Sequence, residues 1–144
     1  MLKIDSKCLK NAKLDKRDIT KFKGKHTLEI GFFKSAAYPS GQNVASVAKY
    51  QEFGTLRIPA RPFFRQAIMK NNKKWLDLFK KHALNTTELK AFAIVGEIAK
   101  GDIQQSITQL RTPPNSPSTI KAKGSSNPLI DTGIMRRSVT YKVI

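Results

Sequence analysis

Residues 62–82 read PFFRQAIMKNNKKWLDLFKKH and residues 86–111 read TTELKAFAIVGEIAKGDIQQSITQLR. Both are long amphipathic runs, and they decide the fold. In the first, Phe64, Ile68, Trp75 and Phe79 recur at helical spacing, while Lys70, Lys73, Lys74, Lys80 and Lys81 fall mostly on the other side. Pro62 suits a first helical turn, where the N–H it lacks would have had no intrahelical acceptor. Phe63 lies off this stripe and is a candidate interface anchor. In the second run, Leu89, Phe92, Ala99, Ile103 and Leu110 form one stripe, widened by Ala93 and Ile107. Asn85 and Glu88 have capping-box spacing. Gly96 and Gly101 each cost about 1 kcal/mol of helix stability relative to Ala, and close helix–helix approach would explain them.

Outward from the helices, periodicity changes. Over residues 26–34, Leu28, Ile30 and Phe32 alternate with Glu29 and Gly31, which predicts a strand. Over 138–144, Val139, Tyr141 and Val143 alternate with Thr140 and Lys142, a second strand. Residues 43–53 read as a short helix: Asn43 can cap it, Val44, Val47, Ala48 and Gln51 share a face, and Gly54 stands where a left-handed stop belongs. Residues 132–137 have room for one helical turn, with Asp131 or Thr132 as cap. The expectation is α+β: an antiparallel pair of strands at about 26–34 and 138–144, packed by helices at about 62–82 and 86–111. Residues 1–144 then make one domain. Residues 1–25 are a basic arm or short edge strands around Leu2, Ile4, Ile19 and Phe22. Residues 112–128 read as a long loop, because three prolines and no apolar period argue against a regular element.

Two punctuated stretches stand out. Tyr38-Pro-Ser-Gly41 is a turn. Glu52-Phe-Gly-Thr-Leu-Arg-Ile-Pro-Ala-Arg-Pro-Phe-Phe64 is the most constrained link in the chain. Leu56 to Ile58 reads as a short extended piece. Arg61, forced extended by Pro62, can fold back to Glu52 or to the carbonyl end of helix 43–53. A stiff corner of this kind loses little entropy when it docks.

The chain carries 27 Lys+Arg against 10 Asp+Glu, a net charge of +17. The excess is spread: residues 1–25 contribute +6, residues 26–111 +7 and residues 112–144 +4. Such a chain attracts polyanions or acidic protein surfaces. The single cysteine, Cys8, excludes an internal disulfide, which suits a reducing cytoplasm. The longest apolar run, Ala91–Val95, is far short of the ~20 residues that span a bilayer, and no export signal is visible, so manufacture and use in a cytoplasm is expected.

No catalytic pattern emerges. His26 and His82 stand alone, and Cys8 has no histidine at nucleophile or metal spacing. Gly31, Gly41 and Gly54 make no phosphate cradle. No two carboxylates recur as an acid–base pair. Neither an enzyme, a metal site nor a cofactor is expected. No helix-turn-helix or zinc finger is present either. Basic binding to nucleic acid without sequence preference is the alternative function, driven by phosphate neutralisation.

Tyr50-Gln-Glu-Phe-Gly-Thr55 followed by Ile58-Pro-Ala-Arg-Pro-Phe-Phe-Arg65 resembles the signature of tailed-bacteriophage neck and tail-completion (head–tail joining) proteins. The later segments Pro113-Pro-Asn-Ser-Pro-Ser-Thr-Ile120, Lys123-Gly124, Pro128-Leu-Ile-Asp-Thr-Gly133 and Arg137–Val143 resemble the tail segment of the same family, in the same order. The likeness covers residues 26–144. It implies a non-enzymatic virion structural protein, carried by a phage or a prophage and assembled in the host cytoplasm. It also implies a ring of identical copies meeting neighbouring connector, neck or tail proteins, with no cofactor and no membrane. On this basis the expected interface residues are Glu52, Phe53, Gly54, Thr55, Arg61, Pro62 and Phe63 in the corner, with Pro113, Pro114, Asp131, Thr132 and Gly133 in the later segment.

Overall fold

The computed structural model describes residues 2–4, 26–33 and 35–144; of the expected basic arm, only Leu2–Ile4 fall within them, and Cys8, Ile19 and Phe22 lie outside. The chain is α+β. Its strands are β1 (Leu2–Ile4), β2 (Leu28–Phe32) and β3 (Val139–Val143). Its helices are α1 (Val44–Phe53), α2 (Phe63–Asn85), α3 (Glu88–Gln109), α4 (Pro117–Lys123) and α5 (Ile134–Arg137). These elements form two compact units. One takes residues 1–31, 71–100 and 140–144; the other takes 32–70 and 101–139.

The first unit holds the sheet, in the order β1-β2-β3. β1 runs antiparallel to β2, with Leu2 opposite Ile30 and Ile4 opposite Leu28. At the other edge, Thr27 and Ile144 exchange both backbone hydrogen bonds, at 2.8 and 2.9 Å, the mark of an antiparallel pair. The expected pairing of the two strands therefore holds, and Leu2–Ile4 adds a third. As the central strand, β2 is buried on both faces. Leu28 and Ile30 are fully covered, and Glu29, expected on a wet face, is buried as well. β3 keeps its alternation, with Val139 buried and Thr140 and Lys142 exposed.

Trp75, Phe79 and Ala83 of α2 are buried in this unit, with Ala91, Phe92, Val95 and Ala99 of α3. The Phe79 and Phe92 rings lie 4.4 Å apart, inclined at 36°. Burying each such side chain is worth roughly 1.5–3 kcal/mol. Gly96 serves a helix–strand contact. A Cβ there would come within 2.7 Å of Cε2 and Cγ of Tyr141 on β3. Gly101 has open space around it, so the helix–helix approach expected of this pair of glycines is not what they provide.

In the second unit, Asn43 caps α1 as predicted, its Oδ1 accepting from the Ser46 N–H at 3.2 Å. Gly54 stops the helix with φ 76° and ψ 173°. The core comprises Val44, Ala48, Phe63, Ala67, Ile103, Ile107, Leu110, Leu129, Met135 and Val139.

Several expectations are corrected. The buried stripe of α2 begins with Phe63 and Ala67, not Phe64 and Ile68, which are half-buried. Phe63 meets Phe32 and Phe64 edge-on, with centroids 6.1 and 6.3 Å away. Leu89 is exposed. Asn85 does not cap α3. It closes α2, its side-chain amide donating to the Lys81 carbonyl, and Thr87 takes the capping position by accepting from the Lys90 N–H at 3.4 Å. Leu56 to Ile58 is a turn, closed by the Thr55 N–H on the Ile58 carbonyl at 2.8 Å. Residues 112–128 are not all loop: Pro117–Lys123 form α4. Ser116 caps it, Pro117 occupies the first turn where a missing N–H costs nothing, and Gly124 ends it in the left-handed region. The N-cap of α5 is Gly133, at φ 74°, rather than Asp131 or Thr132.

Candidate docking site

The corner between α1 and α2 is held by two charged side chains that point inward. Glu52, on the last turn of α1, is buried. Its carboxylate accepts from the N–H of Phe64 at 2.9 Å and of Arg65 at 3.2 Å, the uncapped donors at the start of α2. A negative charge at a helix N-terminus also meets the positive end of the helix dipole. Pro62 cannot offer an N–H, and Glu52 supplies the missing cap from another helix. Arg65 closes the arrangement, its Nε 2.9 Å from Glu52.

Arg61 is only 3% exposed. Its backbone N–H donates to the Gln51 carbonyl at 2.7 Å. Its guanidinium donates to Pro113 O at 2.8 Å, Gln51 Oε1 at 2.8 Å, Pro114 O at 3.0 Å and Asn115 Oδ1 at 3.1 Å. It does fold back on the carbonyl end of α1, as expected, but not onto Glu52. Among the described residues no carboxylate pairs with it; four neutral oxygens carry the charge. Burial lowers its pKa, yet a guanidinium stays protonated at any ordinary pH.

Asn127 does for the later segment what Arg61 does for the corner. Its Oδ1 accepts from the Leu129 and Ile130 N–H groups, and its amide donates to Thr108 O at 3.0 Å. Its carbonyl accepts from Lys123 Nζ at 3.2 Å. Residues 112–133 are therefore tied down at both ends.

The two segments border one cleft of about 370 Å³, lined by Tyr38, Gln51, Asn115, Lys123, Asp131 and Met135 among others. Burial lowers the Lys123 pKa, with Asp131 opposing and Arg61 adding to the shift. Burial, then Asp131, raises that of Tyr38. The lining is mostly amide, hydroxyl and apolar, with Lys123 and Asp131 as its charged groups. Among the described residues no group of three His, Cys, Asp or Glu could hold a metal ion, and no described helix is long and apolar enough to cross a membrane.

The interface residues expected from sequence thus divide. Glu52, Arg61 and Phe63 are buried and build the corner. Gly54, Pro62, Pro113 and Gly133 are half-buried. Phe53, Thr55, Pro114, Asp131 and Thr132 are exposed. Asp131, Thr132 and Gly133 line the cleft with Asn115. Asn127 is not among the expected residues, although its Asn-Pro dipeptide is a turn signal. The exposed apolar side chains Tyr50, Leu56 and Met69 are not among the expected interface residues either. No protein-family model, curated protein or solved structure matches the chain.

Proposed function

We propose that the chain is a non-enzymatic virion structural protein of the phage head–tail junction, a neck or tail-completion subunit acting as a ring-forming docking adaptor. The observation that carries this reading is the Arg61 clasp. The two segments on which the resemblance rests are far apart in sequence, yet Arg61 of one bonds Pro113, 52 residues on, and Pro114 and Asn115 of the other within one unit. A preformed corner of this kind docks with little loss of entropy. Identical copies joined head to tail close into a ring when the rotation between them closes.

The test is a phage or prophage lacking the gene. Filled heads and free tails, joined again when the protein is supplied, are the expected result; normal infectious particles would overturn the proposal. Deleting residues 113–127 is a less direct test, because it removes partners of Arg61 as well as Asn127.

A second reading is a basic protein contacting DNA without sequence preference. It is favoured by the +17 charge and by exposed Lys70, Lys73, Lys74 and Lys81 on α2. A steep salt dependence of duplex binding supports it. Absence of binding at roughly physiological ionic strength, where the Debye length is about 8 Å, removes it.

A further inference from the structure

We infer that the outer face of the corner between Tyr50 and Met69 accepts an acidic protein segment carrying apolar anchors, and does not seat a second copy of this chain. The inference rests on the docking part of the proposal above, that this corner meets another protein, and adds the chemistry of that partner.

Four large apolar side chains are exposed here: Tyr50 at 45%, Phe53 at 63%, Leu56 at 107% and Met69 at 78%. They are linked through the structure. Tyr50 and Phe53 are three apart on α1 and share a face. The Arg65 guanidinium lies 5.2 Å from the Phe53 ring centroid, and Met69 follows Arg65 by one turn on α2. Leu56 stands at the tip of the Thr55–Ile58 turn that joins the two helices.

The charges around this centre have one sign. Lys49, Arg57, Arg65 and Lys70 are all exposed. The one carboxylate between residues 35 and 70 is Glu52, whose side chain is 7% exposed and is engaged by α2 and Arg65. Residues 35–70 therefore offer an apolar centre with a cationic rim and contribute no exposed negative charge to it. Electrostatic complementarity selects an acidic partner, and aromatic and methionine side chains beside arginine are typical of interface centres. A two-fold contact with a second copy would set the same four cations against themselves, and a head-to-tail contact would set them against another face of a chain whose net charge is +17. Nucleic acid would use the cations but gain little from Leu56 and Met69, which have no ring on which a base can stack.

The test uses the purified full-length chain and two acidic peptides of equal length and charge. One interleaves Asp and Glu with Leu and Phe; the other has Ser in place of those apolar residues. A DNA duplex and phosphatidylglycerol vesicles are the comparison probes. The Leu/Phe peptide is expected to bind at least about tenfold more tightly than the Ser peptide. It should shift amide NMR signals at residues 49–57 and 65–70 and weaken as salt rises. Phe53→Ser with Leu56→Ser is expected to cut that affinity by about tenfold or more, and Lys49→Glu with Arg57→Glu should do the same by reversing the rim. Equal binding of the two peptides, binding of neither, signals elsewhere, or stronger shifts of the same signals by DNA or vesicles each overturn the inference. So does a dimer in ultracentrifugation that the Phe53/Leu56 variant abolishes. Loss of peptide binding with a head–tail defect still present in the gene deletion removes only the acidic partner; the converse removes only the junction role.

Discussion

The Arg61 guanidinium and the Pro113 carbonyl meet at 2.8 Å across 52 residues of sequence. Because the same group also holds Gln51, Pro114 and Asn115, Arg61 joins the α1–α2 corner to the segment that follows α3. Arg61→Ala strips hydrogen bonds from several partly buried oxygens at once. A destabilisation of about 2–4 kcal/mol is expected in urea unfolding. Arg61→Lys restores the charge but not the planar fork, so it should recover less than half of that loss. Amide exchange across residues 113–130 should accelerate in both variants. An Arg61→Ala protein with unchanged exchange there would show that the clasp does not hold the segment.

Gly96 and Gly101 sit on one helix and predict opposite outcomes. Alanine in an exposed helix interior normally stabilises by up to about 1 kcal/mol over glycine. Gly101→Ala meets nothing within 4 Å and is expected to raise the melting temperature. At Gly96 the new methyl would run into the Tyr141 ring. Overpacking of that kind costs about 1–3 kcal/mol, so Gly96→Ala is expected to lower the melting temperature despite its better propensity. Thermal melts of the two variants decide it, and a rise for both would mean that α3 does not lie against β3 at this point.

The long helices and the strand pair were legible because their signals are local and repeated. Trp75 and Phe79 on α2, and Phe92 and Ala99 on α3, recur at helical spacing, and Val139, Tyr141 and Val143 alternate. What escaped the sequence depends on partners far along the chain or on position within an element. Glu52 caps a helix that starts 11 residues later, and no local pattern announces that. Phe63 looks like an outlier from the α2 stripe until Phe32 is placed beside it. α4 escapes a sequence reading because Pro113, Pro114 and Pro117 all look like breakers, although Pro117 occupies the helix start, where proline is at home. The corner itself was legible in the same limited sense. The motif marks the corner, but only burial separates Arg61, which builds it, from Phe53, which shows outside it.

Gly54 gives a stricter prediction than its place after α1 alone. Its φ of 76° with ψ of 173° belongs to a region that glycine occupies almost exclusively. A Cβ would also lie 2.9 Å from both Ala60 N and Ile58 O. Gly54→Val is expected to cost about 2 kcal/mol or more. Gly124→Ala is the matched comparison, because φ is 66° with ψ 14° and nothing lies within 4 Å. It should cost only the left-handed penalty of about 1–2 kcal/mol. Equal losses in urea unfolding would mean that the corner yields around the new side chain.

Tyr141 predicts a dependence on pH. Its pKa is raised above the ordinary 10.0, first by burial and then by Glu97, both through its charge and through a hydrogen bond from the phenol. The folded state therefore holds the phenolic proton more tightly than the unfolded chain does. The stability this contributes is fully present below pH 10 and is lost as pH rises through the folded value. Lys123 runs the other way, because burial lowers its pKa and its cost to the fold lessens as pH rises toward 10.5. The comparison must therefore be between the wild type and Tyr141→Phe, in which Lys123 and all other groups cancel. The stability difference between the two proteins is expected to be constant from neutral pH to about pH 9, where both tyrosine states are protonated. Above that it should shift in favour of the Phe variant. A difference that stays flat to pH 11 would mean that the Tyr141 phenol titrates alike in the folded and unfolded chain.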